Sequence, residues 1–249
     1  MTTSQPFDFP ESLIGSLRQA RAVTALTGAG ISAESGIPTF RDSQTGMWAR
    51  YDPQELATPQ AFEENPELVL DWYRWRFNLV QQSAPNAGHT ALAALENHVP
   101  VFTLITQNVD GLHRAAGSQQ IIELHGNIRQ LRCPIDGTLV DGWPEEARPH
   151  CPTCGSLLRP NVVWFGETLD RDALDMALKA SRSCDVFLTI GTSGIVEPAA
   201  SLPYEALRAG ALVVEINPTA TPLTVYVQHH YPHLAGQLLP ALVQAAWPE

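Results

Sequence analysis

A chain of 249 residues is long enough to bury one large core, or one such core with a small insert. Its formal net charge of −11 excludes the broad basic surface on which non-specific nucleic-acid binding depends. No apolar run approaches the length of a membrane span, and Met1 to Asp8 lack the basic and apolar regions of an export signal. With four cysteines and no such signal, reduced thiols or metal ligands are expected rather than a disulfide framework, and the expected location is the cytoplasm.

A helical stretch at residues 12–21 leads into the apolar run Ala22-Val23-Thr24-Ala25-Leu26, which reads as a buried strand. Thr27-Gly28-Ala29-Gly30 follows directly, and glycines after a strand let backbone N–H groups approach a phosphate closely. The usual dinucleotide fingerprint is incomplete: Ser32-Ala33 stands where the third glycine belongs, and the next glycine is Gly36. Pro38-Thr39-Phe40-Arg41 then sets an aromatic ring and a cation on a stiff tether. Alone, this Gly-x-Gly also fits a simple tight turn.

Residues 42–84 read as helical and rich in aromatics, among them Trp48, Tyr51, Phe62, Trp72, Tyr73, Trp75 and Phe77. After a helix at 87–96, the strand Val101-Phe102-Thr103-Leu104-Ile105-Thr106 ends in Gln107-Asn108-Val109-Asp110-Gly111-Leu112-His113. An amide and a carboxylate two apart suit holding hydroxyls, an amide or a water, and equally suit an Asx turn. Ile121-Ile122-Glu123-Leu124 ends in His125-Gly126-Asn127, placing a histidine where it can face a crevice and accept a proton near neutral pH. Residues 129–160 are dense in proline and glycine and hold three of the cysteines. Beyond them come a helix at 171–183, a strand at 185–190 before Gly191-Thr192-Ser193, a helix at 199–209, a strand at 211–216 before Asn217-Pro218, and a helix at 234–246.

Near-continuous apolarity in these strands predicts a parallel sheet covered on both faces. Strand–helix alternation makes the fold class α/β, a Rossmann-like doubly wound sheet with ligands outside the carboxyl ends of its strands. The expected organisation is a Rossmann-like domain of residues 1–41, 85–128 and 161–249. A smaller lobe is expected from a helical module, 42–84, and a zinc-ribbon-like module, 129–160.

Gly28 to Ser32 with Phe40-Arg41, Gln107 to His113, Leu124-His125-Gly126, Pro160-Asn161-Val162-Val163-Trp164-Phe165-Gly166-Glu167, Gly191-Thr192-Ser193 and Glu215-Ile216-Asn217 together resemble the signatures of the sirtuins. These are NAD-dependent protein lysine deacylases, and the resemblance runs in order through nearly the whole chain. It implies NAD as co-substrate, with the acyl-lysine oxygen attacking the ribose carbon that bears nicotinamide and an alkylamidate forming. His125 is implied as general base for a ribose hydroxyl, Asn108 as orienter of ribose or water, and Asp110 as holder of the nicotinamide carboxamide. Phe40 would shield the reacting face and Arg41 would order the cofactor loop, with Ala33, Thr39, Trp48 and Gln107 further NAD-side positions. Gly28, Ala29, Gly30, Gly191, Thr192 and Ser193 would cradle the phosphates, Asn217 the adenine ribose and Ala235 the adenine. Val162, Val163, Trp164, Phe165 and Gly166 would offer a strand edge to the substrate peptide. Released products would be free lysine, nicotinamide and O-acyl-ADP-ribose.

Tyr73 and Arg76, three apart, share a helical face on which a phenol and a guanidinium can grip a carboxylate. With Ala57 upstream, Tyr-x-x-Arg resembles the sirtuin subgroup that removes succinyl, malonyl and glutaryl groups, and Thr39 agrees with it. Succinyl or malonyl removal is therefore expected ahead of acetyl removal. Cys151-Pro152-Thr153-Cys154 is a zinc knuckle, whereas Cys133-Pro134-Ile135-Asp136 has the same shape with an aspartate for its second cysteine. Asp136 is the leading fourth zinc ligand, with His150 and Asp141 as further candidates; an inert, metal-free ribbon is the alternative. Gly194 and Glu197 depart from the resemblance and bear on NAD affinity. A mono-ADP-ribosyltransferase and a non-catalytic NAD or ADP-ribose sensor are the alternative functions. Acyl-lysine proteins or peptides are the expected partners of a monomeric chain, without nucleic acid or membrane.

Overall fold

A computed structural model of the chain describes residues 7–39, 51–145 and 148–248. In chain order the strands are β1 (Ala22–Thr27), β2 (Val101–Thr106), β3 (Ile121–Glu123), β4 (Gly126–Arg132), β5 (Leu139–Asp141), β6 (Arg159–Val162), β7 (Val186–Ile190), β8 (Leu212–Ile216) and β9 (His229–Tyr231). The α-helices are α1 (Glu11–Gln19), α2 (Pro53–Leu56), α3 (Pro59–Glu64), α4 (Pro66–Gln82), α5 (Ala87–Glu96), α6 (Leu112–Ala115), α7 (Arg171–Ser183), α8 (Leu202–Arg208) and α9 (Ala235–Ala246).

Six strands form one parallel sheet in the order β3-β2-β1-β7-β8-β9. The chain winds outward from β1 in one direction and from β7 in the other, so the switch point lies between them, the place where sheets of this kind bind their ligands. Alternate side chains feed two cores. Val23, Ala25, Leu104, Leu188 and Val214 pack with α1, α5 and α9 on one face. Leu26, Ile105, Phe187 and Val213 pack with α7 and α8 on the other. Both faces are covered, which is why these strands read as continuous apolar runs. The sheet edge β9 gave no such signal, because His229-His230-Tyr231 is only half-buried.

A second sheet, antiparallel in the order β5-β4-β6, carries the proline-rich segment. Beside it stand α2, α3 and α4, each begun by a polar cap followed by proline. Asp52, Thr58 and Asn65 accept from the N–H groups of Gln54, Ala61 and Leu68, and each proline occupies a first-turn position where no N–H is needed. These helices bury Leu56, Ala57, Val69, Trp72, Tyr73, Phe77 and Val80 against Ile128, Val162 and Trp164 of the second sheet and its exit. The lobe is knit further by Arg74 donating to Pro144 O at 2.8 Å and by Phe77 stacked on Trp143 at 5.7 Å. Among the described residues, no helix is long and apolar enough to cross a membrane.

Candidate active site

The loops after β1 and β7 interlock through their main chains. Gly28 N donates to Ile190 O at 2.9 Å, and Gly30 N donates to Gly191 O at 2.8 Å. A Cβ on Gly28 would lie 2.8 Å from Gly191 O, and one on Gly30 would lie 2.7 Å from Gly191 Cα. Gly191 itself has φ +58°, and its Cβ would lie 2.5 Å from Ile31 N. The glycines are thus required by loop-on-loop contact at the switch point. Residues 29–35 continue as a 3₁₀ helix closed by left-handed Gly36, in place of the α-helix that a third glycine usually introduces.

Beneath these loops lies a buried polar network. Ser32 Oγ donates to Asp110 Oδ2 at 2.7 Å. Asn108 Nδ2 donates to Gly28 O at 3.1 Å and to Ser32 Oγ at 3.2 Å, which leaves its Oδ1 outside this network. Asp110 Oδ1 accepts from Leu112 N at 2.9 Å, so the buried side chain closes an Asx turn while its other oxygen takes the Ser32 hydroxyl. His89 Nε2 lies 3.4 Å from Ser32 Oγ, and His113 Nε2 lies 2.9 Å from Thr27 Oγ1. Burial pushes His113 down to about 3, with His89 adding to the effect, and burial also lowers His89. Both rings are therefore neutral at pH 7.

His125 follows β3, its Nδ1 3.0 Å from Gln107 O. A carbonyl only accepts, so Nδ1 carries the proton and Nε2 keeps the lone pair. Burial pulls its pKa below that of free imidazole, against the opposing pull of the Gln107 carbonyl. Gln107 Nε2 donates to Thr192 Oγ1 at 3.0 Å, joining the β2 and β7 loops. Ala29 and Ser193 are half-buried beside these contacts, whereas Ala33 is exposed. Asn217 is buried after β8, its Nδ2 donating to Thr219 O at 2.7 Å. Ala235 is the buried first residue of α9, and the next N–H, of Gly236, donates to Glu34 at 2.7 Å. Thr39 is half-buried; Phe40, Arg41 and Trp48 lie outside the described residues.

On the small-lobe side, β6 ends at Val162, and Val163, Trp164, Phe165 and Gly166 continue outside regular strand. Val163 N donates to His125 O at 2.9 Å and Phe165 N to Ala57 O at 2.9 Å, tying this segment to the histidine and to the α2–α3 corner. A cleft of about 860 Å³ runs along it, lined by Val163, Gly166, Arg132 and Asp170 among others. Tyr73 is buried on α4 and its hydroxyl accepts from Trp164 Nε1 at 2.9 Å. Burial pushes the phenol up to about 12, against the nearby charge of Arg76, so it keeps its own proton at neutral pH. Arg76 is half-buried with its guanidinium 4.9 Å from the Trp72 ring. Burial lowers its pKa, while Tyr73 and Asp110 oppose the shift.

Cys133, Asp136, Cys151 and Cys154 place one ligand atom each within 4.8 Å of one another. The Cys133 and Cys154 sulfurs are 3.5 Å apart, and Cys151 Sγ is 3.4 Å from Asp136 Oδ2. In a tetrahedral zinc site with bonds of about 2.3 Å, sulfurs stand roughly 3.7 Å apart, so the donor set and spacing fit zinc. N–H groups of Ile135, Asp136 and Thr153 reach the sulfurs at 3.4 Å. The Thr138 N–H, first among several hydrogen bonds, holds the Asp136 carboxyl well below the usual carboxylate range. Asp141 instead accepts from Gln130, and His150 pairs with Leu157; neither joins the cluster. Gly194 has φ +64°, a conformation that favours glycine, and exposed Glu197 accepts from Ser201 Oγ at 2.8 Å. Cys184 is buried in the main core, as a strand-heading thiol should be.

Sequence reasoning passed over Ser32, His89, His113, Arg159 and Glu167 as site-builders. Ser32, His113 and Glu167 sat inside recognised motifs and drew no role, because their partners lie far along the chain.

Residues 28–198 match the model of the Sir2 family. A relative named NAD-dependent protein deacylase from Aquifex aeolicus is 51% identical over 217 residues, covering 86% of this chain and 90% of that one. Among solved structures, a Sir2 homologue in complex with NAD matches at a TM-score of 0.92 with 45% identity, covering 96% of this chain and 94% of that one. A Sir2–p53 peptide–NAD+ structure matches at a TM-score of 0.85 with 32% identity, covering 95% of this chain and 98% of that one.

Proposed function

The chain belongs to the Sir2 family, and from that premise we propose that it is an NAD-dependent protein lysine deacylase that favours succinyl or malonyl over acetyl groups. Acylated proteins or peptides are its substrates, and free lysine, nicotinamide and O-acyl-ADP-ribose are its products. Bound NAD supplies the ribose that receives the acyl group and the nicotinamide that departs.

The observation that carries the reading is the state of His125. Its Nδ1 is held by Gln107 O, burial keeps the ring neutral, and Nε2 is left to take a proton from a ribose hydroxyl. Asn108, held through its Nδ2, orients ribose or water with Oδ1. Each Asp110 oxygen accepts one internal hydrogen bond and keeps a further lone pair for the nicotinamide carboxamide. Gly28, Ala29, Gly30, Gly191, Thr192 and Ser193 face the phosphates, Asn217 the adenine ribose and Ala235 the adenine. The segment from Val162 to Gly166 takes the peptide.

Acyl preference rests on Tyr73 and Arg76. The Tyr73 oxygen already accepts from Trp164, so its O–H remains to donate, and the charge of Arg76, one turn along α4, acts on it. Together they suit a carboxylate-ended acyl group better than a methyl. Cys133, Asp136, Cys151 and Cys154 would hold a structural zinc away from the chemistry. A monomeric state and the cytoplasm complete the proposal; sizing and fractionation test them.

The test is incubation with NAD and matched succinyl- and acetyl-lysine peptides, following peptide mass and nicotinamide release. Loss of the succinyl mass faster than the acetyl mass is expected. Nicotinamide release with no mass loss from either peptide overturns deacylation.

A further inference from the structure

Outside any sheet, the segment after β6 is shaped by two charged side chains. Arg159 is 4% exposed. Its Nη1 donates to Glu167 Oε1 at 2.5 Å and its Nη2 to Glu167 Oε2 at 2.9 Å, a two-point fork. The same Nη2 donates to Val162 O at 2.8 Å, while Glu167 Oε2 also accepts from Trp164 N at 2.8 Å. Arg159 further lies 3.3 Å from the centroid of the Trp164 ring. Arg132 Nη2 stands 3.5 Å from Glu167 Oε1 as a second cation. Trp164, so held by backbone and ring, gives its indole N–H to the Tyr73 hydroxyl.

We propose that Arg159 and Glu167 are positioning residues that set the peptide-binding segment and the Tyr73 hydroxyl as one unit. This rests on the deacylase reading above. A buried ion pair is poor value as a source of stability, since well-packed apolar residues often do as well. What the fork adds is direction: a planar guanidinium meets a carboxylate in one geometry only. Here that geometry fixes a carbonyl at residue 162, an N–H at residue 164 and the tilt of an indole. The indole N–H determines which way the Tyr73 O–H can turn, because the oxygen is already accepting. Peptide binding and acyl preference are therefore linked through four side chains, Arg159, Glu167, Trp164 and Tyr73, and none of the four belongs to the NAD loops.

The experiment measures KM for NAD, KM for a succinyl-lysine peptide, the succinyl-to-acetyl ratio of kcat/KM, and peptide Kd by calorimetry. For Glu167→Gln, peptide KM and Kd rise about tenfold while KM for NAD stays within roughly twofold. Trp164→Phe, which keeps an aromatic ring but removes the indole N–H together with the second ring, lowers the succinyl-to-acetyl ratio about fivefold. A merely structural role would lower the active fraction and leave both KM values and the ratio unmoved. If Glu167→Gln does not fold, Trp164→Phe carries the test. A folded Glu167→Gln protein with unchanged peptide KM and Kd, or Trp164→Phe with an unchanged ratio, overturns the proposal. Wild-type protein that binds the peptide without removing the acyl group overturns the deacylase reading instead, and the Kd comparison still decides the clamp. Wild-type protein that binds no acyl peptide overturns both.

Discussion

The two walls of the crevice are ordered by different means. On the Rossmann-like side, Gly28, Gly30 and Gly191 press main chain against main chain, and the loops are held by N–H to carbonyl bonds. On the small-lobe side, the tip of the ribbon buries Leu131, Cys133, Cys151 and Leu158, with Val140 and Trp143 packed against them. A cluster this small gains most from a bound metal, and the set Cys133, Asp136, Cys151 and Cys154 fits one. The wall built from the β1 and β7 loops is thus fixed by backbone geometry and intolerant of an added Cβ. The small-lobe wall is fixed more by side chains, so under the proposed function specificity can change there without disturbing the cofactor side.

His125 lies at the seam of the walls, and its loss should have the largest effect. For His125→Ala, kcat falls about 10²–10⁴-fold, checked by nicotinamide release, while calorimetry still finds NAD bound. Activity of the native protein should persist below the pH at which free imidazole protonates and be lost as pH falls through the lowered His125 value. In the ribbon, Asp136→Ala removes a ligand itself and should lower zinc affinity by more than the ~10- to 100-fold that losing an outer hydrogen-bond partner costs, read by metal analysis after dialysis. Chelation should expose ribbon amides to hydrogen exchange before those of the parallel sheet.

A matched glycine pair tests the contrast directly. Gly191→Ala forces the loops apart and should raise KM for NAD about tenfold, because strain is added to a Cβ clash. Gly155→Ala, in the ribbon with φ +74° and nothing within 4 Å, should lose only the ~1–2 kcal/mol of left-handed backbone and leave KM for NAD alone. Equal effects would break the comparison. Arg76→Ala should lower the succinyl-to-acetyl ratio about tenfold, the value of one charged hydrogen bond.

The smallest effect is on stability against pH. His113 is neutral when folded, with a value of about 3, and nearer 6.5 when unfolded. Its contribution is complete above about pH 6.5 and drains away as pH falls toward 3, because the unfolded chain takes the proton first. Glu167 adds the same sign at more acid pH. Burial works to raise it, but Arg159, the Trp164 N–H and Arg132 together hold it lower. Denaturant melts at pH 7 and 5 should separate by less in His113→Gln than in the native protein.

Strands β1, β2, β7 and β8 were legible because both faces of a parallel sheet are covered, which leaves unbroken apolar runs. The edge strand β9 was not, since an edge needs no such run. His125, Asn108 and Asp110 stood out because they follow strands at the ligand edge. Tyr73 and Arg76 stood out because a helix puts residues three apart on one face. The Cys3Asp set, with Asp136 as leading fourth ligand, was legible from knuckle spacing, while the coordinates placed Asp141 and His150 apart from it.

By itself the sequence determined the doubly wound α/β class, the sirtuin signatures and the residue types offered to the crevice, since periodicity and strand-end chemistry are local. Only the tertiary structure decided that Ser32 joins Asp110 to Asn108, that glycines serve loop-on-loop contact, and that Arg159 and Glu167 shape the segment leading to Tyr73. Hydrogen bonds between groups distant along the chain leave no period in the sequence, and their geometry exists only once the two walls have packed.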